Sequence, residues 1–518
     1  MSNFKLTFKL KQHTPLIHFQ HDQHGATLRA TELKPKLDRF LIEKAFGGIL
    51  NFNTYKNFLI GDTKSIEEKL KKIDKENSDE TVRNKKKEKY LKEQHLAFDY
   101  KVRIIGKAVE MNKISRVPNF FGNMGVYDDK EKKKFSNTNQ ILNVTITTFN
   151  ESLKKKICEI FPIFLAKTNF GTRQNKGFGS FYLDNSSECY ESINSILNGV
   201  PYIEIDNHSN EHIYSAINYY YSRLKSGINK NYDARCNSEY KKSFLFKYFN
   251  NKTKKGWEKR WIKENFFGLY NNNIDKYFIR ILLGFSTSFK YKKTTEPCHK
   301  KNDKKIPKSY EILDEYEIEV THPNIERYKS PITFKPIKIK ENGKDITRIY
   351  IVTEQNLIQS ISISQPFTFY KKFIVKKIYL NSRNEVKTKQ IAFPKIKNEN
   401  VREKDRLIQE LSNQEKHNNI ESIKNVIIKI KNDRKRKNLL KQINSFIIGQ
   451  KARFENYLNE CTENNGKIYP PSRTIEAPNT IIDLQDLIKE YHTTELNNSF
   501  SYELNSSNYN AKIKNNNQ

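Results

Sequence analysis

Residues 170–181 read Phe170-Gly171-Thr172-Arg173-Gln174-Asn175-Lys176-Gly177-Phe178-Gly179-Ser180-Phe181. Three glycines alternate with two cations and with aromatic rings. Glycine permits sharp turns and close backbone approach. Arg and Lys can meet phosphate, and an aromatic face can stack a base. The stretch is no P-loop, since Gly-x-x-x-x-Gly-Lys-Ser/Thr does not occur. It is no dinucleotide fingerprint either, because no strand precedes it. Two readings remain: a tight helix-to-strand connection, or a loop that contacts RNA.

Working outward, residues 150–167 place Leu153, Ile157, Ile160, Phe161 and Phe164 on one helical face ahead of the loop. A short strand, 178–183, follows it. Further back, strand patterns occupy 141–148 and 100–109, preceded by a Lys/Glu-rich helical insertion at 64–95. Leu33, Leu37, Phe40 and Leu41 mark a helix that places Pro35 in its first turn and ends at Gly47-Gly48. Phe4, Leu6, Phe8 and Leu10 alternate with polar residues as a half-buried strand. The order is strand, helix, insertion, strand, strand, helix, glycine loop, strand. That is the βαββαβ ferredoxin-like arrangement, whose sheet is also the platform of RRM-type RNA binders.

Beyond residue 195 the pattern is more divergent. Helices are expected near 211–226 and 238–266, and a strand entered from a helix over 277–291. A hairpin turns at Asn342-Gly343 between 332–340 and 347–352, with Pro336 demoting its first strand to an edge. From about 400 to 460 apolar residues recur at helical spacing (Leu407 and Leu411; Ile420, Ile423, Ile427 and Ile430; Leu439, Ile443 and Ile447) around the basic run Arg434–Lys437. The last twenty-odd residues are rich in Asn and Ser and are expected to be disordered at their end. The fold class expected is α+β: tandem ferredoxin-like domains with a helical insertion and a helical C-terminal region. The expected domains are 1–195, a divergent second domain 196–395, and a helical region with a polar tail, 396–518.

The 93 Lys and Arg against 59 Asp and Glu leave a formal charge of +34. Such an excess calls for a polyanion, most simply nucleic acid, although abundant Asn and Ile mark a codon bias that raises Lys on its own. The 33 Phe and 28 Tyr indicate folded cores rather than a disordered chain. The five cysteines are scattered with no CxxC pair, so neither a zinc ribbon nor a disulfide framework is expected, and a reduced, cytoplasmic setting fits. No apolar run approaches the ~18 residues of a membrane span, and no membrane partner is expected.

The loop resembles the glycine-rich signature of the RAMP superfamily, the RNA-binding proteins of CRISPR–Cas systems. Thr14-Pro15-Leu16 followed by Gly25-Ala26-Thr27-Leu28-Arg29 resembles the opening of RAMP subunits of type III effectors, with Lys34, Lys36 and Arg39 continuing along the helix start. Arg327-Tyr328-Lys329-Ser330-Pro331-Ile332-Thr333-Phe334, together with Leu283-Gly284-Phe285, is similar to segments of the first RAMP subunit of the Cmr module (type III-B). The resemblance implies a non-catalytic RNA-binding subunit of a type III effector ribonucleoprotein, active in antiviral defence. Guide RNA, target RNA and other effector subunits would be its partners. RNA-binding residues would be Arg29, Lys34, Gly171, Arg173, Lys176, Gly177, Phe178 and Gly179.

Four histidines, His13, His18, His21 and His24, cluster near the N-terminus. RAMP endoribonucleases that mature guide RNA use a His without metal, so His18 and His24 are candidate acids or bases. Asp22 is a candidate for the loop aspartate with which type III backbone subunits cut target RNA. His21 and His24 are spaced for a metal, yet no Cys or dense carboxylate group completes a ligand set nearby, and no metal or cofactor is expected. A basic RNA-binding protein outside CRISPR systems is the remaining alternative.

Overall fold

The computed structural model describes residues 4–17, 27–106, 109–111, 135–137, 141–206, 209–231, 238–268, 274–285, 288–294, 312–326, 329–354, 365–373, 376–380, 386–390, 437, 440–441, 449, 452–464, 467–478, 483–496 and 511–514. The chain divides into two units. One comprises 1–224, 330–357 and 482–518, and the other 225–329 and 358–481.

The first sheet follows the sequence pattern closely. β1 (Lys5–Gln12) buries Leu6, Phe8 and Leu10 on one face, as its period of two requires. α1 (Ala30–Phe40) buries Leu33 and Leu37. It starts five residues before Pro35, which therefore sits inside the helix rather than in its first turn. The missing proline N–H leaves the Thr31 carbonyl without its helical donor. The helix closes through a π turn, Leu41–Ala45, and Gly47 and Gly48 follow at positive φ.

The lysine-rich insertion folds as two helices, α2 (Thr63–Glu76) and α3 (Glu80–Glu93). Asp62 and Asp79 cap them by accepting from backbone amides one turn on. Leu70 and Leu91 join the core, so the insertion is not wholly solvated. β2 (Lys101–Ile105) and β3 (Leu142–Thr147) come next. α4 (Glu151–Lys167) is capped by Asn150, whose side chain accepts from the Leu153 amide at 3.0 Å. β4 (Phe181–Leu183) completes an antiparallel sheet of order β2-β3-β1-β4. Phe161 of α4 packs on Phe8 with ring centroids 4.2 Å apart.

Cys158 and Cys189 form a disulfide, with Cα atoms 5.7 Å apart. The scattered cysteines suggest no disulfide framework, and this one bond departs from that reading. A spacing of 31 residues carries no pairing information, and only the packing beside α4 brings the two together.

β5 (Tyr202–Ile205) and α5 (Asn210–Lys225) open a second set of elements. The chain then contributes α6 (Phe244–Thr253), α7 (Glu258–Phe267), β6 (Ser288–Thr294) and β7 (Ile312–Thr321) to the other unit. The single helical run expected over 238–266 is broken: Ser238–Lys241 is a strand, and Gly256-Trp257 separates α6 from α7. The strand expected over 277–291 is interrupted by a buried 3₁₀ turn, Ile279–Leu283.

β8 (Ile332–Glu341) and β9 (Lys344–Thr353) return to the first unit as a hairpin about Asn342 and Gly343, both at positive φ. β10 (Phe367–Phe373), a helix over 452–460 and β11 (Ser472–Ile475) belong to the second unit. There the sheet order is β6-β7-β10-β11. α8 (Leu484–Tyr491) and β12 (Ala511–Lys514) return once more to the first unit.

The second sheet of that unit runs β8-β9-β5-β12, all antiparallel. Numbered along its own path (β5, α5, β8, β9, α8, β12) it is again strand, helix, strand, strand, helix, strand in order 2-3-1-4, the same as the first sheet. Pro336 lies on β8, an edge strand of this sheet, as expected.

The C-terminal portion was expected to be helical, and its described residues include strands that complete two sheets. Within the polar tail, residues 511–514 pair with β5. Such edge pairing is carried by backbone groups, which composition does not report. Residues 391–436, with most of the helical pattern read there, lie outside the described residues. No helix among the described residues is long and apolar enough to cross a membrane.

Candidate nucleic-acid interface

The glycine loop spans the gap between α4 and β4, and three segments far apart in sequence close on it. The first is 13–17. The Thr14 hydroxyl donates to the Gly177 carbonyl (2.6 Å) and accepts from the Ser180 amide (3.0 Å). The Gly179 amide donates to the Pro15 carbonyl, and the Thr172 amide to the Ile17 carbonyl.

The second is the start of β8 with the residues before it. The side-chain amides of Asn169 and Asn175 donate to the carbonyls of Phe334 and Ser330, and the Ser180 hydroxyl to that of Pro336. The Lys335 ammonium, fully buried, donates to the carbonyls of Thr168 (2.9 Å) and Phe181 (2.8 Å), one at each end of the loop. Burial holds that ammonium well below the ordinary lysine range. The third is α5: Phe178 stacks on Tyr214 with centroids 4.0 Å apart, and Lys176 sits over the Tyr221 ring. The RAMP-like segments 14–16, 170–181 and 330–334 thus form one knot, although Arg327 and Tyr328 lie outside the described residues. Leu283-Gly284-Phe285 belongs to the other unit, where the Lys225 ammonium donates to the Leu283 and Gly284 carbonyls.

The loop splits into a buried base and an accessible crown. Gly171, Gly177, Phe178 and Gly179 are buried, while residues 172–176 are half-exposed. All three glycines have positive φ. A Cβ at Gly179 would strike the Phe170 carbonyl, one at Gly171 the Ile17 carbonyl, and one at Gly177 the Ile217 and Pro336 side chains. The glycine amides are occupied: Gly171 donates to Glu32, Gly177 to Gln174 and Gly179 to Pro15. The glycines therefore shape the loop, and Phe178 is a core ring.

Two of the expected cations stand on the crown. Arg173 holds a left-handed φ of 63°, a conformation uncommon for a side chain of its size, and partial burial lowers its guanidinium from its ordinary value without discharging it. Non-glycine residues held this way persist where surrounding structure over-determines them, and they cluster at functional sites. Lys176 is anchored at the crown's far side.

α1 lies alongside. Lys36 donates to Glu32 (3.0 Å), to the Gln174 side chain (2.8 Å) and to the Asn169 carbonyl (3.1 Å). Arg29, half-exposed, is the N-cap residue of this helix, whose N-terminal amides favour anions. Lys34 points elsewhere, donating to Asp38 and to the Phe98 carbonyl beneath the Tyr100 ring. His18, Asp22 and His24 lie outside the described residues. His13 is buried, and its Nδ1 accepts from the Lys338 amide. Among the described residues no group of His, Cys, Asp and Glu is arranged to hold a metal.

Lys335, Asn169 and Tyr221 also belong to the site, outside the motifs of the sequence. Lys335 carried a signal, a lone cation inside the apolar run Ile332–Ile337 on a hairpin strand. Asn169 and Tyr221 carried none.

Two family models match in tandem, the Cmr1 N-terminal domain over residues 3–228 and the Cmr1 C-terminal domain over 240–435. They define the class: a RAMP protein of type III-B CRISPR systems. The chain belongs to the Cmr1 family, whose members are subunits of type III effector complexes, and other subunits of such a complex are its expected partners. The crystal structure of Cmr1 from Pyrococcus furiosus (apo form) is similar at 11% identity, over 68% of this chain and 89% of that one, with a TM-score of 0.33. No curated protein matches the chain.

Proposed function

We propose that this protein is a non-catalytic RNA-binding subunit of a type III CRISPR effector, and that the crown of the glycine loop holds the backbone of guide or target RNA. The carrying observation is the crown itself. Arg173 and Lys176 stand half-exposed on a loop whose base is fastened by three remote segments. Arg29 adds a third cation at the start of α1. A loop needed only to connect α4 to β4 would not require a cation in the left-handed region. The glycines and Phe178 serve the shape of the loop, and the cations serve phosphate.

The two sheets of order 2-3-1-4 support a reading as tandem ferredoxin-like domains. The first occupies residues 1–195. The second is assembled from 196–224, 330–357 and 482–518, with the other unit inserted into it twice.

Binding to single-stranded RNA, followed by fluorescence anisotropy, tests the function. If ~6–10 phosphates are contacted, a salt slope of ~0.7 per contact lowers affinity for the single strand by roughly 10²–10⁴ between about 50 and 200 mM salt. A flat salt response contradicts the reading. Incubation with repeat RNA, with and without EDTA, is expected to leave the RNA intact. Cleavage abolished by His18→Ala or His24→Ala would instead establish a processing nuclease.

A further inference from the structure

The first sheet has a face that the glycine knot does not use. Its core side is apolar, and the other side carries Lys5, Thr7, Lys9 and Lys11 on β1, Asn143, Thr145 and Thr147 on β3, and Lys101, Arg103 and Ile105 on β2. The strand register sets these in rows: Lys5–Thr147–Lys101, Thr7–Thr145–Arg103, and Lys9–Asn143–Ile105. No carboxylate occupies any of these positions, and the Glu188 carboxylate beside them accepts from the Thr7 amide at 3.1 Å. Lys9 reaches Ser186, and Asp184, held below the usual carboxylate range chiefly by hydrogen bonds from Ser186, also feels Lys11 and Lys9. Lys5, Lys101 and Arg103 at the opposite end form no ion pair among the described residues, and all three are exposed.

That same end carries two open aromatic rings. The Thr148 amide donates to the Phe4 carbonyl, which sets Phe149 beside Phe4 with ring centroids 5.2 Å apart. Phe149 is 79% exposed and Phe4 45%. Glu151, two residues on, is paired with Lys154, and exposed Asp99 stands just before β2. Unpaired cations on rigid strands attract a polyanion, and exposed rings beside them offer a stacking platform. A duplex keeps its bases stacked on one another, and an acidic protein surface would leave the rings in water. Single-stranded RNA uses both features.

We infer that the Lys5, Lys101 and Arg103 end of this sheet is a second contact for single-stranded RNA, with phosphates on the three cations and a base on the Phe4–Phe149 pair. The inference rests on the RNA-binding reading of the glycine loop and extends it. The residues of the knot continue from Gln12, at the other end of β1, roughly 23 Å from Lys5 at ~3.3 Å per residue. A short oligonucleotide bound at the loop therefore does not reach this end, and a longer one does.

The test compares oligonucleotides of about 3 and about 20 nucleotides, below and above a typical site size, on the full-length protein. The triple variant Lys5→Glu/Lys101→Glu/Arg103→Glu is expected to weaken the long RNA about a hundredfold and to make its salt slope shallower by about 2, at ~0.7 per lost phosphate contact. The short RNA should be unaffected. Phe149→Ser should weaken the long single strand about tenfold and leave a duplex unchanged. Unchanged affinity and slope for the long RNA in both variants overturn the inference. So does loss of a protein partner with RNA binding intact. Arg173→Ala serves as the separate control: if it leaves short-RNA binding unchanged, the loop reading fails, whatever the sheet variants do.

Discussion

At Arg173 a long cationic side chain occupies a backbone conformation that usually belongs to glycine, and the loop around it is built to keep it there. The Arg173 carbonyl accepts from the Lys176 amide, closing a tight turn whose two ends are the two crown cations. The bond that closes the turn runs between backbone atoms, so it persists when either side chain is shortened. Arg173→Ala and Lys176→Ala are each expected to reduce RNA affinity about tenfold and the salt slope by about 0.7, with thermal stability nearly unchanged. Anisotropy titrations at several salt concentrations check this. Gly179→Ala should act in the opposite manner. Its φ of +65° and the Phe170 carbonyl leave no room for a Cβ. The expected cost is roughly 3 kcal/mol or more of stability, read as a lowered Tm before any RNA is added. The glycines were legible as a functional signature, but their work is internal, and the sequence does not say whether a glycine approaches RNA or its own backbone.

At the scale of elements, β8 behaves as a clasp. Between Ser330 and Lys338 the strand and the residues just before it supply six hydrogen bonds to the loop and its neighbours, from three carbonyls, one ammonium that makes two, and one amide. Lys335 spans both loop ends with no carboxylate at hand, so its burial is costly and its hydrogen bonds to carbonyls are what the loop gains. Lys335→Met replaces the ammonium by an apolar chain of similar length. The expected result is a Tm close to that of the parent, amide exchange in 169–181 faster by about tenfold, and RNA affinity lower by about tenfold, or ~1.4 kcal/mol. Hydrogen exchange without RNA checks the clasp on its own terms. The hairpin of β8 and β9 was legible from Asn342-Gly343 and the flanking alternation. Its partner was not, because β9 pairs with β5, some 145 residues earlier by the Ile349–Ile203 register.

Over the whole first unit, the second sheet closes only when the chain returns from its last excursion. α8 and the turn after it lock onto α5: the Tyr491 hydroxyl donates to the Tyr220 carbonyl, and the Tyr220 hydroxyl lies 2.7 Å from His492 Nε2. Burial pushes the His492 imidazole down to about 4. The unfolded chain, with its histidine near 6.5, then binds more protons than the folded one between those values. Stability must fall as pH drops through that window, by roughly 3 kcal/mol when complete. Denaturant unfolding between pH 7 and pH 4 checks this, and His492→Gln should flatten the acid loss.

From sequence alone the first βαββαβ pattern, the loop at its last crossover, the charge that asks for a polyanion and the RAMP resemblance were all determined. Each is a local matter of periodicity, turn chemistry or composition. Tertiary structure decided that the second βαββαβ set is gathered from three separated stretches, that Lys335 fastens the loop, and that Phe178 and the glycines face inward. Those outcomes depend on contacts between residues as much as 325 positions apart, as in the His13–Lys338 bond. Hydrogen-bond partners at such separations are set by how sheets and helices pack, which leaves no periodicity in the chain to read.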